Sequence, residues 1–180
     1  MESDLNIYFI SMLFYLVGSL PFALIVHNLM STTDPRHTGS KNPGATNMYR
    51  IAGPLAGVMT FIGDFLKGFI PIFLLVHFDE ITLYLVSFSI LVGHMFSVFN
   101  RFQGGKGVAT SFGSLLAINY ILGVALMTVW LVVFALKRIS GLAATVSFVL
   151  LPLIAYLIIG SYGFLIISIF HSLIILVNHR

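Results

Sequence analysis

The chain has no cysteine and very little charge. Without thiols there is no disulfide, no thiolate metal site and no cysteine nucleophile. Only 8% of its 180 residues are Asp, Glu, Lys or Arg, about a third of the roughly 25% usual in a soluble domain. So few charges cannot clothe a water-facing surface, which excludes a soluble enzyme, a disordered chain and a secreted disulfide scaffold. Repeats and low-complexity segments are also missing, as is the strand alternation of an outer-membrane barrel. What is present is apolar: 58% of the residues are hydrophobic and mean hydropathy is +1.03. The composition is that of an all-α polytopic membrane protein, read as a single integral membrane domain over residues 1–180.

A helix needs roughly 20 apolar residues to cross about 30 Å of hydrocarbon. Leu5–His27, Ile51–Val76, Ile81–Phe99, Gly141–Ile159 and Tyr162–Val177 are such stretches. Asp64, Lys67 and Pro71 interrupt the second. Gly107–Leu136 is too long for one ordinary span and is either one tilted helix or two short ones meeting near Asn119 and Gly123.

Charge placement decides that case. Arg36, Lys41 and Arg50 follow the first stretch, Arg101 and Lys106 the third, Lys137 and Arg138 the ambiguous one, and Arg180 the last. Glu2, Asp4, Asp79 and Glu80 occupy the opposite ends. Basic loops stay in the cytoplasm. If Gly107–Leu136 crosses twice, eight of the nine basic residues are cytoplasmic and the ninth, Lys67, lies in a helix. The expectation is seven transmembrane helices, N-terminus outside and C-terminus cytoplasmic. The fourth span, rich in Gly, Ala, Ser and Thr, packs inside the bundle. The acidic start, Met-Glu-Ser-Asp, lacks the positive region of a signal peptide, so the first helix is read as a retained span.

Two polar islands fall on the cytoplasmic side. The first runs from Asp34 to Arg50, where Pro35, Gly39, Pro43 and Gly44 predict a shaped loop rather than a helix. It offers hydroxyls from Thr38, Ser40 and Thr46, amides from Asn42 and Asn47, and the cations Arg36, Lys41 and Arg50. Such a donor-rich loop suits phosphate, and the plain alternative is a hydrophilic connector. The second is Phe102-Gln-Gly-Gly-Lys-Gly-Val-Ala-Thr110. Gly104, Gly105 and Gly107 allow close backbone approach, and Lys106 stands where a helix begins, an anion-attracting place. Its spacing fits neither a Walker loop nor a dinucleotide fingerprint, and a glycine-rich turn into a helix is the plain alternative. Asp64 and Lys67, at i and i+3, share a helix face and can neutralise each other. His94 reads as a satisfied interior histidine, His37 as part of the solvated rim of the first loop. No metal-ligand spacing occurs.

At these islands the chain resembles the bacterial acyl-phosphate:glycerol-3-phosphate acyltransferases, the PlsY family. The matching pieces are Gly18-Ser-Leu-Pro-Phe22, Gly39-Ser-Lys-Asn-Pro-Gly-Ala-Thr-Asn47 with Arg50, Asp64-Phe-Leu-Lys-Gly68, Gly93-His-Met-Phe-Ser-Val-Phe99 and Phe102–Thr110. The resemblance covers the whole chain in order. It departs where Lys41 stands in place of the family's usual glycine and Ser97 in place of a frequent proline. Gly141, preceded by Ser140, replaces a serine. Of the family's terminal His-Arg-Glu-Asn-Ile, His179 matches the histidine and the later asparagine has no counterpart in this sequence.

The resemblance implies a bacterial inner-membrane enzyme, multi-pass, with its active site facing the cytoplasm. It would move a fatty acyl group from acyl phosphate to glycerol 3-phosphate and give lysophosphatidic acid, the first acylation of phospholipid synthesis. It implies that Ser40, Arg50 and Lys106, with His179, hold glycerol 3-phosphate. Thr46, Asn47 and neighbouring backbone amides would cradle the acyl phosphate, and Asn42, Gly44, Gly104 and Gly105 would be further substrate-binding residues. No catalytic side chain is expected: an acyl phosphate is already activated, the substrate hydroxyl can attack directly, and the departing phosphate can take its proton. No metal, cofactor or nucleic acid is expected; the partners are the two substrates and membrane lipid, and the oligomeric state stays open. The absence of a G-x-S-x-G elbow and of an H-x-x-x-x-D sequence agrees with direct attack. The competing readings are an anion channel or phosphate transporter, and a non-enzymatic lipid-binding subunit. A transporter wants a midplane site and paired repeats, which the sequence does not display.

Overall fold

The structure is a computed structural model and describes residues 2–179, with side chains for all of these except residues 2–7, 80 and 81. Arg180 and the side chains of Glu2, Asp4 and Glu80, which entered the charge reading, lie outside the described residues. The described residues form α-helices, one short 3-10 turn and no strand: α1 (Glu2–Gly18), α2 (Phe22–Met30), α3 (Ala45–Leu74), α4 (Glu80–Met95), the 3-10 turn Val98–Asn100, α5 (Val108–Ile118), α6 (Tyr120–Lys137), α7 (Ser140–Ile159) and α8 (Tyr162–Val177). They divide into two compact units, residues 1–114 and 115–180.

The first apolar stretch is not one helix, as Leu5–His27 was expected to be. It breaks at Ser19-Leu20-Pro21, because Pro21 has no N–H to continue the ladder. In hydrocarbon the carbonyls so released must find donors, and they do. Ser97 Oγ donates to the Ser19 carbonyl, and Lys67 Nζ donates to the Leu20 carbonyl at 2.7 Å. Tyr15 Oη adds a bond to the Phe96 carbonyl at 2.6 Å. Glycine lets α1 and α4 touch backbone to backbone. A Cβ on Gly18 would stand 2.1 Å from the Ile90 carbonyl oxygen, and one on Gly93 2.2 Å from that of Tyr15.

The second stretch also differs from expectation. Helix α3 begins at Ala45, inside what the sequence suggested was loop, because the last turn-forming residues, Pro43 and Gly44, precede it. Gly53 interrupts it at φ 87 and ψ 179, next to Pro54. A Cβ on Gly57 would lie 2.6 Å from Tyr49 Cβ, whereas eight residues of straight helix would separate them by about 12 Å. The chain therefore doubles back at Gly53, so residues 45–52 form a short arm folded onto a long one. The long arm passes through Asp64, Lys67 and Pro71 without a break, and glycine again allows close packing on α5. A Cβ on Gly68 would be 2.1 Å from the Thr110 carbonyl oxygen, and one on Gly113 2.1 Å from that of Phe65.

The ambiguous stretch 107–136 divides at Asn119, as the two-helix reading expected. The Asn119 side chain caps α6 by accepting from the Leu122 N–H at 3.0 Å, and Gly123 admits the Leu116 backbone. The second unit continues through α7 and α8, whose start Ser161 caps by accepting from the Phe164 N–H. Among the described residues five segments are long and apolar enough to cross a membrane: Tyr8–Met30, Ala45–Leu74, Thr82–Asn100, Tyr120–Lys137 and Ser140–Ile159. Helices α5 and α8 are apolar and shorter.

Candidate functional site

The first island is built around one buried amide. Asn47, 1% exposed in the first turn of α3, accepts from the Ser40 N–H through Oδ1 at 2.9 Å. Its Nδ2 donates to the carbonyls of Pro35 and Thr38, each at 3.0 Å. The loop wraps so closely that a Cβ on Gly39 would stand 2.3 Å from Asn47 Oδ1. Of the neighbouring residues singled out in the sequence, Ser40, Thr46 and Arg50 are exposed, and Asn42 and Gly44 half-buried. Asn47 orders the loop and Ser40 rides on it. Gly44 opens α3, its carbonyl accepting from Asn47 and Met48 at 3.0 Å.

The second island is hung on the end of α4. Gly104 N–H donates to the Met95 carbonyl at 2.9 Å and Gly105 N–H to that of His94 at 3.2 Å. A Cβ on Gly104 would lie 1.8 Å from the His94 carbonyl oxygen, so only glycine fits. Gly107, at φ +83, turns the chain into α5. Lys106, half-buried, stands between these glycines.

Two joints bring the islands together within the first unit. Arg36 is chelated by Asp34, through Nε at 3.0 and 3.1 Å and Nη2 at 2.7 Å, and its Nη1 donates to Asn100 Oδ1 at 3.1 Å. Asn100 in turn donates to the Gln103 carbonyl. The hydrogen-bonded Arg36 guanidinium holds the Asp34 carboxyl well below the usual carboxylate range, and Asp34 raises Arg36. At the second joint a Cβ on Gly105 would be 3.1 Å from the Pro43 carbonyl oxygen. Arg50 and Lys106 make no ion pair among the described residues, so both cations remain available to an anion.

Behind the glycine turn lies a small polar pocket that Asp64, Lys67, His94, Asn100 and Gly105 help to line. The expected pair is present: Lys67 Nζ lies 2.8 Å from Asp64 Oδ1. Phe22 and Lys67 line this pocket and also a second, apolar one. That groove, about 690 Å³, runs among α1, α2 and α3 past Phe14, Ile25, Ile62, Ile70 and Leu74.

His179 belongs to the second unit, where its Nδ1 lies 3.0 Å from the Ile175 carbonyl at the end of α8. Sequence reasoning missed Arg36 and Asn100 as the link between the islands. Asp34-x-Arg36 was a visible signal for half of it, whereas Asn100 carried none.

A family description, glycerol-3-phosphate acyltransferase, matches residues 8–180. A glycerol-3-phosphate acyltransferase of Paraburkholderia phytofirmans is 42% identical over 172 residues, covering 92% of this chain and 80% of that one. One of Burkholderia cenocepacia is 44% identical over 151 residues, covering 83% and 71%. Two crystal structures of PlsY (YgiH), an integral membrane glycerol 3-phosphate acyltransferase, each cover 97% of this chain and are themselves covered to 88%. The glycerol 3-phosphate form has a TM-score of 0.91 at 35% identity, and the lysophosphatidic acid form 0.89 at 34%. With its several long apolar helices, this chain is a multi-pass membrane protein, and it belongs to the glycerol-3-phosphate acyltransferase family.

Proposed function

We propose that this glycerol-3-phosphate acyltransferase takes its acyl group from an acyl phosphate and releases lysophosphatidic acid and inorganic phosphate. The observation that carries the reading is the junction of two phosphate-suited islands beside an apolar groove: Arg36 bonds Asn100, and Phe22 and Lys67 line both the groove and the pocket behind Gly105. Both substrates carry phosphate and one carries a fatty chain, so polar turns next to an open greasy wall suit the pair.

In this reading Ser40, Arg50 and Lys106 bind the phosphate of glycerol 3-phosphate. Thr46, Asn42 and the backbone around Gly44, Gly104 and Gly105 face the acyl phosphate, with Asn47 shaping that cradle from within. The glycerol hydroxyl attacks the acyl carbon. An ester C–O bond forms, the bond between acyl carbon and bridging oxygen breaks, and the phosphate leaves with that oxygen and takes up the hydroxyl proton. The protein's share is to hold two anions together against their repulsion and to stabilise the developing oxyanion. The chain is one membrane domain with seven spans, N-terminus outside, in the inner membrane of a bacterium, with the islands facing the cytoplasm. Positive-inside charge supports that orientation, and the break at Asn119 supports two helices in the ambiguous stretch.

The test is a purified protein in detergent with labelled glycerol 3-phosphate. Acyl phosphate should give lysophosphatidic acid and acyl-CoA alone should not; turnover with acyl-CoA alone would overturn the donor assignment.

A further inference from the structure

Three ionisable side chains that the proposed chemistry does not use meet beneath the second island. Asp64, Lys67 and His94 are 3%, 5% and 7% exposed. Lys67 Nζ is anchored at both ends, 2.8 Å from Asp64 Oδ1 and 2.7 Å from the Leu20 carbonyl oxygen. His94 Nδ1 lies 3.4 Å from the same Asp64 Oδ1. Burying such groups is costly, and an apolar trio of similar volume would often be at least as stable, so their presence calls for a reason.

The far edge of the His94 ring supplies one. A Cβ on Gly105 would stand 2.4 Å from His94 Nε2 and 2.9 Å from Cε1. The ring therefore lies directly under the glycine that precedes Lys106. The His94 carbonyl accepts the Gly105 N–H at 3.2 Å and crowds the Gly104 Cα. From the other side the Pro43 carbonyl of the first island closes on Gly105. One residue thus meets the turn through ring and main chain, while its ring is fixed to α3.

We propose that His94 is a positioning residue for Lys106: the Asp64–Lys67 pair holds the imidazole by its Nδ1 edge, and the opposite edge sets the height of the Gly104–Lys106 turn against Pro43. The proposal rests on the reading of Lys106 as a phosphate-holding residue. Removing the ring lets the turn sink and carries the ammonium away from its ligand. The backbone of Gly104 and Gly105 moves with the turn, but the acyl phosphate is also held by Thr46, Asn42 and Gly44 of the first island, so its KM shifts less than that for glycerol 3-phosphate.

The experiment is a double-mutant cycle on purified protein, read as KM for glycerol 3-phosphate, KM for acyl phosphate and kcat, with a melting curve for each variant. His94→Ala and Gly105→Ala should each raise KM for glycerol 3-phosphate about 10-fold or more, and the double variant should be no worse than Gly105→Ala alone, because without the ring the added methyl no longer collides with Nε2. Effects that multiply would contradict the proposal, as would equal changes in both KM values. His94→Gln, whose terminal nitrogen reaches the place of Nε2, should recover part of the loss; His94→Asn, which reaches only the place of Nδ1, should not. This pair decides the matter if His94→Ala does not fold, and equal behaviour of Gln and Asn would sink the idea. Lys106→Ala separates the two layers. If it leaves KM for glycerol 3-phosphate unchanged, the reading of the turn fails and takes this proposal with it. If it raises KM while the His94 variants do not, only the positioning role fails.

Discussion

Arg36 donates through Nη1 to Oδ1 of Asn100 at 3.1 Å, across 64 residues of sequence. The bond joins the loop before α3 to the turn after α4, and Asp34 fixes the guanidinium that makes it. Asn100, 5% exposed, passes the constraint to the Gln103 carbonyl, next to the glycines. Ordering of this kind reduces the entropy to be lost when a dianion binds.

Asn100→Ala removes both links. The Arg36 bond is charge-assisted and the Gln103 bond neutral; with about 0.5–1.5 kcal/mol of their ordering passed on to substrate binding, KM for glycerol 3-phosphate should rise about 2- to 10-fold. Arg36→Lys should do no better, because an ammonium cannot chelate Asp34 and reach Asn100 at once. Steady-state kinetics at saturating acyl phosphate check both; unchanged KM values would show that the islands hold their places without this strap.

The Asp34–Arg36 pair should be insensitive to mild acid. A carboxyl whose folded pKa is depressed contributes stability that is present above its unfolded value, about 3.9, and lost as pH falls through the folded value. For Asp34 the folded value lies far below the usual range, owing first to the Arg36 hydrogen bond. The difference in melting temperature between the parent chain and Asp34→Asn should therefore stay flat from about pH 5 to 9 and shrink below about pH 4. A difference that varies between pH 6 and 8 would contradict the assignment.

Lys41 occupies the left-handed region at φ 58, where a side chain costs about 1–2 kcal/mol relative to glycine. This is the position where the family resemblance led one to expect glycine. Lys41→Gly should raise stability by about 0.5–1 kcal/mol after the extra entropy of an unfolded glycine is subtracted. Lys41→Ala, which keeps the Cβ, should not. Denaturation in detergent measures both.

The long apolar helices were legible in the sequence because hydrocarbon thickness sets the length of an apolar run. The split at Asn119 was legible because 107–136 is too long for one ordinary span. The break at Ser19–Pro21 was written locally, but its compensation by Ser97 and Lys67 lies at least 47 residues away, beyond any pattern along the chain. The reversal at Gly53-Pro54 was masked by the apolar residues on either side, which made one run of two arms. The islands could be recognised by composition. That Arg36 reaches Asn100 and that His94 lies under Gly105 are tertiary facts with no periodicity to announce them.

Membrane orientation follows from single cysteines. Placed at Ser40 and Ser140, they should label from the cytoplasmic side, and at His77 from the other. Opposite labelling of Ser40 and Ser140 would mean that the 107–136 stretch crosses once.

Lys106 carries the sharpest substitution. Charge-assisted contacts contribute about 1.5–3 kcal/mol, so Lys106→Ala should raise KM for glycerol 3-phosphate about 10- to 150-fold. Lys106→Arg should restore only part. Lys137, equally basic but in the last turn of α6, is the control, and Lys137→Ala should change KM little. Equal effects of the two alanine variants would reduce Lys106 to a positive-inside anchor.

The most direct test follows the bridging oxygen of the acyl phosphate. With that atom labelled with heavy oxygen, attack of the glycerol hydroxyl on the acyl carbon sends the label into inorganic phosphate, one phosphate for each lysophosphatidic acid formed. The account predicts that all label released in turnover appears there and that acyl-CoA does not replace the donor. Label retained in a free fatty acid, or lysophosphatidic acid formed without release of phosphate, would contradict it.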